Sequence, residues 1–384
     1  MDRKKRVAIF TENLYGGGVE RILQIILSHF DYEKYDVTLY SNRNEVLSED
    51  SYPTAIKHRY IFDDCSHKCL SSYWHKVKNK IKLCIYYHCS PGLFYKLFIR
   101  KKYDVAIAFI EGYATRIVSG APSSMHLISW LHTDISNYHW TKVAFRSNAE
   151  EIECYHRFSD IICVAQSVKR QADQYLKLPN KTSVIYNPIN KKKIADMSNV
   201  NINELGTKQK HKWQLLIVGT INHNKGHLRL IKALSILRKE HIDVGLWIVG
   251  YGPYYDELVK HTQELGLIKY VEFFGYRPNP YPFFKLCDIY VCASYAEGYN
   301  TAITEALILG KAVVSTECSG VKEQLGENNE FGICTPNTDE GLYEGLKQML
   351  NDSTLNYYTM RARERGKNFS LEASMDKIYR LIES

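Results

Sequence analysis

Two carboxylates with seven residues between them are the first residues in this chain whose types and spacing suggest chemistry. Glu297 and Glu305 lie in SYAEGYNTAITEA, residues 294–306, directly after the apolar run 289–292. Asn300 or Thr301 is a good helix N-cap. Glu305 falls about one turn into the helix it would start, and Gly310 suits the helix end. The free N–H groups near Gly298, Tyr299, Asn300 and Thr301 can take a phosphate. The flanking carboxylates can accept hydrogen bonds from sugar hydroxyls. An ordinary acidic helix start fits the same residues, because glutamate is favoured near an N-terminus.

Three more loops follow apolar runs in the same way. VGT, residues 218–220, leads to Lys225 and Gly226. A lysine at a strand's carboxyl end beside a helix N-terminus suits a phosphate as a point charge, and is otherwise a surface lysine in a loop. Gly250 sits in VGYGP, residues 249–253. Glycines there let a flat base or a ribose lie against the backbone, although the pattern is equally a turn. LYGGGVER, residues 14–21, puts Gly16, Gly17 and Gly18 where a helix begins. Such a loop suits an oxyanion or a closely approaching substrate, or makes a tight turn. It is not the dinucleotide fingerprint, whose third glycine would fall on Arg21.

These loops need strands and helices to hold them. Apolar runs at 6–10, 36–40, 103–109, 126–130, 161–164 and 183–186, then at 215–218, 245–249, 271–274, 289–292 and 312–315, read as strands. Stretches 18–29, 226–239, 256–265 and 301–309 read as amphipathic helices. Continuous apolar strands alternating with helices indicate an α/β fold of doubly wound parallel sheets, which bind ligands at the carboxyl ends of their strands. Residues 187–212 are polar, with Pro188 and lysines at 191–193, and read as a linker. The expected organisation is a domain over 1–188, a second over 189–366, and a terminal helix over 367–384 packing back towards the first.

Composition bounds the rest. A chain of 384 residues, 45% hydrophobic and 24% charged, suits two globular domains and excludes disordered, collagen-like and coiled-coil classes. No run approaches the roughly 18 apolar residues of a membrane span. The apolar start in MDRKKRVAIF stops at Glu12 and Asn13, too short for a signal peptide, so a cytoplasmic protein is expected. The ten cysteines read as free thiols. Cys65, His67, Cys69, Cys84, His88 and Cys89 cluster loosely, but their spacing fits no common zinc module.

The net charge is +8, and residues 1–190 carry +7 of it. Between Cys65 and Tyr103 stand nine basic residues, from Lys68 to Lys102, and no acidic one; Tyr73, Trp74, Tyr86, Tyr87, Phe94, Tyr95 and Phe98 are interleaved. A solvated helical surface and an interfacial patch for anionic lipid headgroups both fit. No nucleic-acid module is legible, and no nucleic-acid partner is expected.

Taken in order, these loops resemble glycosyltransferase family 4, the retaining, nucleotide-sugar-dependent enzymes of the GT-B fold, also called glycosyl transferases group 1. The resemblance runs along nearly the whole chain. It starts with GGGVER and continues through Trp130-Leu131-His132 and Asn187-Pro188-Ile189-Asn190. Then come VGT with Lys225-Gly226, VGYGP, FFGY and EGYNTAITEALILGKAVVST. It implies two Rossmann-like domains facing across a cleft, and closure about the linker to exclude water. Glu305 would hold the nucleotide ribose, Glu297 would meet hydroxyls of the transferred sugar, and Lys225 would neutralise the diphosphate. Gly298, Tyr299, Asn300 and Thr301 would wrap the diphosphate, with Gly17 and Gly18 facing it from the other domain. His132 would lie beside the sugar; as a residue alone it is equally a buried core histidine. Thr220, Gly226, Gly250, Tyr276 and Arg277 fall in the other matching loops and would line the donor site.

The sequence departs from the family at Thr220, where arginine is usual, so a bidentate diphosphate partner is missing. Arg229, Arg277 and His223 are candidates to replace it. Asn300 stands where proline or glycine is common, and Asn190 replaces the usual aspartate. The resemblance implies front-face retaining transfer without a metal or other cofactor, and no D-x-D motif occurs. The donor is expected to be a UDP-sugar, with GDP-mannose as runner-up. The acceptor is expected to be a glycan or lipid-linked glycan of bacterial capsule, O-antigen or lipopolysaccharide, reached at the inner face of the plasma membrane. Two alternatives remain at this level: a catalytically weakened nucleotide-sugar-binding protein, and a synthase acting on a soluble glucan. The broken G-x-G-x-x-G argues against a dehydrogenase or epimerase.

Overall fold

The computed structural model describes residues 3–12, 17–42, 52–62, 70–136, 138–201 and 211–384. The chain divides into two compact units, Met1–Pro188 with Glu372–Ser384, and Ile189–Leu371.

The first unit is built on strands β1 (Lys5–Phe10), β2 (Tyr35–Ser41), β3 (Lys57–Tyr60), β4 (Val105–Ala108), β5 (His126–Leu131), β6 (Asp160–Cys163) and β7 (Thr182–Val184). Its helices are α1 (Gly18–Ser28), α2 (Leu70–His88), α3 (Pro91–Phe94), α4 (Tyr113–Ser119), α5 (Asn148–His156) and α6 (Gln166–Leu176). The strands form one parallel sheet in the order β3-β2-β1-β4-β5-β6-β7. Val7, Ala8, Ile9 and Phe10 are all buried, as a sheet covered on both faces requires.

The second unit contains α7 (Lys191–Ser198), β8 (Trp213–Val218), α8 (His227–Lys239), β9 (Val244–Val249), α9 (Tyr255–Glu264), β10 (Val271–Gly275), α10 (Tyr281–Leu286) and β11 (Ile289–Cys292). It continues through α11 (Thr301–Ile308), β12 (Ala312–Thr316), α12 (Val321–Leu325), β13 (Ile333–Thr335), α13 (Asp339–Met349) and α14 (Asp352–Gly366). Its sheet is parallel, in the order β10-β9-β8-β11-β12-β13. A last helix, α15 (Leu371–Glu383), closes on the first unit: Tyr379 donates to the His29 carbonyl at 2.6 Å and Lys5 to the Ile382 carbonyl at 2.6 Å.

Every strand and helix read from the sequence is present, its ends within two residues, except that the terminal helix starts at Leu371, four residues after the expected 367. Two strands have no sequence signal: β3 is four exposed residues, Lys-His-Arg-Tyr, and β13 has three residues at a sheet edge.

Residues 187–212 need a correction. Lys191–Ser198 is a helix of the second unit, capped by Asn190, whose Oδ1 accepts the Lys193 N–H at 2.9 Å. Ile189 and Ile194 are buried in a core with Leu216, Phe283, Tyr290 and Ile303. So few apolar residues face inward that the segment reads as polar linker. Residues 202–210 lie outside the described residues.

The basic segment also reads differently in three dimensions. Lys68 lies outside the described residues, as do Cys65, His67 and Cys69. On α2, Lys76, Lys78 and Lys80 are exposed and Trp74 is 63% exposed. Tyr86, Phe94 and Tyr95 are instead buried, and Tyr86 donates to the Ala144 carbonyl at 2.8 Å. Those aromatics belong to the core, because they are the inward face of α2 and of the turn after it. Among the described residues, no helix is long and apolar enough to cross a membrane.

Candidate functional site

In a doubly wound sheet, the loops on either side of the point where strand order reverses open a crevice for ligands. In the second unit that point lies between β8 and β11. The two loops there are tied together. Tyr295 N–H donates to the Asn224 carbonyl at 2.8 Å, and Asn224 Nδ2 donates to the Ala296 carbonyl at 2.9 Å. Gly226, at φ +66°, permits this contact, since a Cβ there would stand 1.9 Å from the Ala293 carbonyl oxygen. Gly250 does the same for the next loop, with a Cβ position 1.9 Å from the Gly219 oxygen.

Glu297 and Lys225 meet at this place. Lys225 Nζ donates to Glu297 Oε1 at 2.6 Å. The same oxygen accepts from Ser294 Oγ at 2.6 Å and from Asn300 Nδ2 at 3.1 Å. Burial opposes the charge on Lys225, but the Glu297 carboxylate outweighs it and holds the ammonium above its ordinary pKa. The lysine is placed by a short turn, in which Asn222 Oδ1 accepts the Lys225 N–H at 3.0 Å. Both side chains are partly open, 30% for Lys225 and 11% for Glu297. Asn300 caps α11 by accepting the Ile303 N–H at 3.1 Å. The helix itself offers no acceptor to the N–H groups of Thr301 and Ala302. A cation, a held carboxylate and an open helix N-terminus thus share one spot.

The remaining expected residues are dispersed around it. Glu305 is 3% exposed and accepts from the Tyr281 hydroxyl at 3.0 Å, a partner on α10 without a sequence signal. Gly298 and Tyr299 are buried and Thr301 is half-buried, while Thr220 and Tyr276 are exposed and Arg277 is half-buried. Arg229 is engaged elsewhere. It is 2% exposed, with Nε donating to Asp339 at 3.0 Å and Nη1 to Asn337 at 2.7 Å. Its guanidinium lies 4.3 Å over the Tyr295 ring. It braces the β11 loop rather than replacing the arginine absent at 220. His223 is exposed against Tyr254, with ring centres 4.0 Å apart.

The first unit has its own reversal point, between β1 and β4. Gly17 caps α1, and the Glu20 carboxylate folds back onto it, with Oε2 2.5 Å from where a Cβ at 17 would stand. That carboxylate therefore already occupies the α1 start at Gly17 and the exposed Gly18; Gly16 lies outside the described residues. His132 follows β5 and is 6% exposed. Its Nε2 is 2.8 Å from the Phe109 carbonyl. A carbonyl only accepts, so Nε2 carries the proton and Nδ1 is an acceptor. Burial pushes the ring down to a pKa of about 4, so it is neutral.

Two carboxylates in this unit carry no sequence signal. Glu111, fully buried after β4, accepts the His132 N–H at 2.9 Å and the Thr133 hydroxyl at 2.5 Å. Glu12, after β1, accepts the Tyr113 N–H at 3.1 Å. Burial, set against that N–H bond and reinforced by Glu111, raises Glu12 to about 7. Among the described residues, no group of three or more His, Cys, Asp or Glu is placed to hold a metal ion.

Residues 201–369, which contain the Lys225–Glu297 cluster, match the glycosyl transferases group 1 family. This segment is similar to the group 1 glycosyl transferases. The fold is GT-B: HepE of Anabaena, solved in complex with UDP and glucose, aligns with a TM-score of 0.76 at 19% identity over 99% of both chains. A curated relative in Campylobacter jejuni, "N-acetylgalactosamine-N,N'-diacetylbacillosaminyl-diphospho-undecaprenol 4-alpha-N-acetylgalactosaminyltransferase", is 32% identical over 194 residues, 50% of each chain. The lipopolysaccharide core biosynthesis glycosyltransferase LpsE of Rhizobium meliloti is 30% identical over 44% of this chain and 49% of that one. The chain thus spans about half the length of these curated relatives.

Proposed function

We propose that the protein is a retaining glycosyltransferase. It moves a sugar from a UDP-sugar onto a lipid-linked glycan of bacterial lipopolysaccharide, O-antigen or capsule. The observation that carries this is the Lys225–Glu297 pair beside the α11 N-terminus, inside the segment that matches the group 1 family. UDP as the nucleotide is supported by the UDP-bound HepE structures. A lipid-linked acceptor is supported by the printed names of the Campylobacter and Rhizobium relatives.

In this reading the α11 N–H groups and Lys225 hold the diphosphate, while Glu297 accepts from hydroxyls of the sugar. The bond from the anomeric carbon to the diphosphate oxygen breaks. A bond from that carbon to the acceptor oxygen forms on the same face. The acceptor's proton passes to the departing diphosphate, whose charge Lys225 and the helix start stabilise. No step uses a metal. The exposed Lys76, Lys78 and Lys80, with Trp74, hold the protein on an anionic inner leaflet, each lysine adding about 1 kcal/mol.

One assay tests both parts. Purified protein is given UDP-sugars and a polyprenyl-diphosphate glycan in vesicles containing anionic lipid. The expected product keeps the donor's anomeric configuration by NMR, and the protein floats with the vesicles. Charge reversal of Lys76, Lys78 and Lys80 should abolish flotation but leave transfer to a short soluble acceptor. An inverted product contradicts the mechanism; flotation unchanged by charge reversal contradicts the membrane surface.

A further inference from the structure

We propose that Asn300 is a positioning residue that fixes which oxygen of Glu297 is offered to the sugar, an assignment that rests on the donor-site reading. Asn300 is 7% exposed, and every polar group of its side chain is committed. Its Oδ1 accepts the Ile303 N–H at 3.1 Å, capping α11. Only the oxygen of an amide can do that, so the NH2 group must point the other way. There Nδ2 donates to Glu297 Oε1 at 3.1 Å and to Cys292 Sγ at 3.3 Å. The Asn300 carbonyl in turn accepts from Gln324 Nε2 at 2.7 Å. The side chain therefore has no alternative orientation that keeps its bonds.

The consequence falls on Glu297. Oε1 collects three donors, from Lys225, Ser294 and Asn300. Among the described residues no donor meets Oε2, which is left to accept from a ligand. When Lys225 turns to a diphosphate, Ser294 and Asn300 still hold Oε1, so the carboxylate keeps its orientation. Because the same residue caps α11, the phosphate-binding N–H groups and the sugar-facing carboxylate form one rigid piece. Glycine or proline at this position supplies no such donor.

The test uses Asn300→Ser, which keeps a cap of equal quality but lacks the NH2 group, with Asn300→Gly as a second variant. The full-length proteins are compared by melting temperature, UDP affinity and UDP-sugar turnover. Asn300→Ser should melt within about 2 °C of wild type. It should bind UDP within about threefold, while kcat falls at least about tenfold. Turnover within about threefold of wild type overturns the assignment. So does a loss of UDP affinity as large as the loss of kcat, which would put the effect on the diphosphate or the fold. Wild type that binds no UDP and turns over no UDP-sugar overturns the donor-site reading itself, and the assignment with it. Failure of the variant to differ from an active wild type overturns the assignment alone.

Discussion

Lys225→Met should lower kcat for sugar transfer by about a hundredfold to a thousandfold, the usual loss when one preorganised charge is withdrawn from a leaving group. Among the described residues, the ammonium is the one side-chain cation bonded in the cluster of Glu297, Ser294 and Asn300. The resemblance implies an arginine at the position of Thr220, which this chain lacks, and Arg229 is committed to Asp339 and Asn337. In the proposed donor site, Lys225 would consequently bear more of the diphosphate's charge than a lysine with an arginine beside it. The fold should tolerate the change, because Ser294 and Asn300 continue to hold Glu297 and the turn at 223–225 is kept by Asn222. Steady-state turnover and thermal melting check this together. A kcat within tenfold of wild type, or a protein that no longer melts cooperatively, contradicts it.

Arg116→Met should cost the first unit about 3–5 kcal/mol, because it breaks a buried ion pair and leaves the Glu150 carboxylate only Arg146, whose side chain is 47% exposed. Arg116 is 1% exposed and donates through Nη2 to Glu150 Oε1 at 2.8 Å, with Glu150 8% exposed. It also donates to the carbonyls of Tyr86 and Cys89, and so anchors the carboxyl end of α2. Burial pushes Glu150 up, but hydrogen bonds from Arg116 and Arg146 overcome it and hold the carboxyl at about 2. A folded pKa below the ordinary 4.5 contributes stability above pH 4.5 that is lost as the pH falls through about 2. The gap between wild type and Arg116→Met should therefore be widest near neutral pH and narrow from about pH 4.5 downwards. Chemical denaturation at pH 7 and pH 3 measures it. A gap that widens on acidification contradicts the pairing.

The legible part of this site was the part that motif spacing fixes. Glu297, Lys225 and the Asn300 cap sit at set distances from strand ends, and an apolar strand announces where it stops. Glu111 and Glu12 were not legible, because a carboxylate that braces a neighbouring loop has no required spacing: the Glu111 partner, His132, lies 21 residues on. Tyr281 was missed for the same reason, its contact with Glu305 being made across two helices. Periodicity also failed in a consistent way. It overlooked α7, whose inward-facing apolar residues are Ile194 and the half-buried Met197, and β3, an edge strand exposed on every residue. It counted Tyr86, Phe94 and Tyr95 with the surface lysines, although their rings pack inward. Sequence shows that aromatics and lysines alternate; only the helix face shows which of them water reaches.

The central claim, a UDP-sugar site in the segment that matches the group 1 family, is tested most directly by melting the protein with UDP, GDP and ADP in parallel with Glu305→Ala. Ligand at about 100 times its dissociation constant adds about 2.7 kcal/mol to stability, a shift of several degrees for a unit of this size. The account predicts a shift with UDP that exceeds those with GDP and ADP and is lost in Glu305→Ala relative to that variant's own ligand-free melting. No shift with any of the three nucleotides, or an equal shift in the variant, would contradict it.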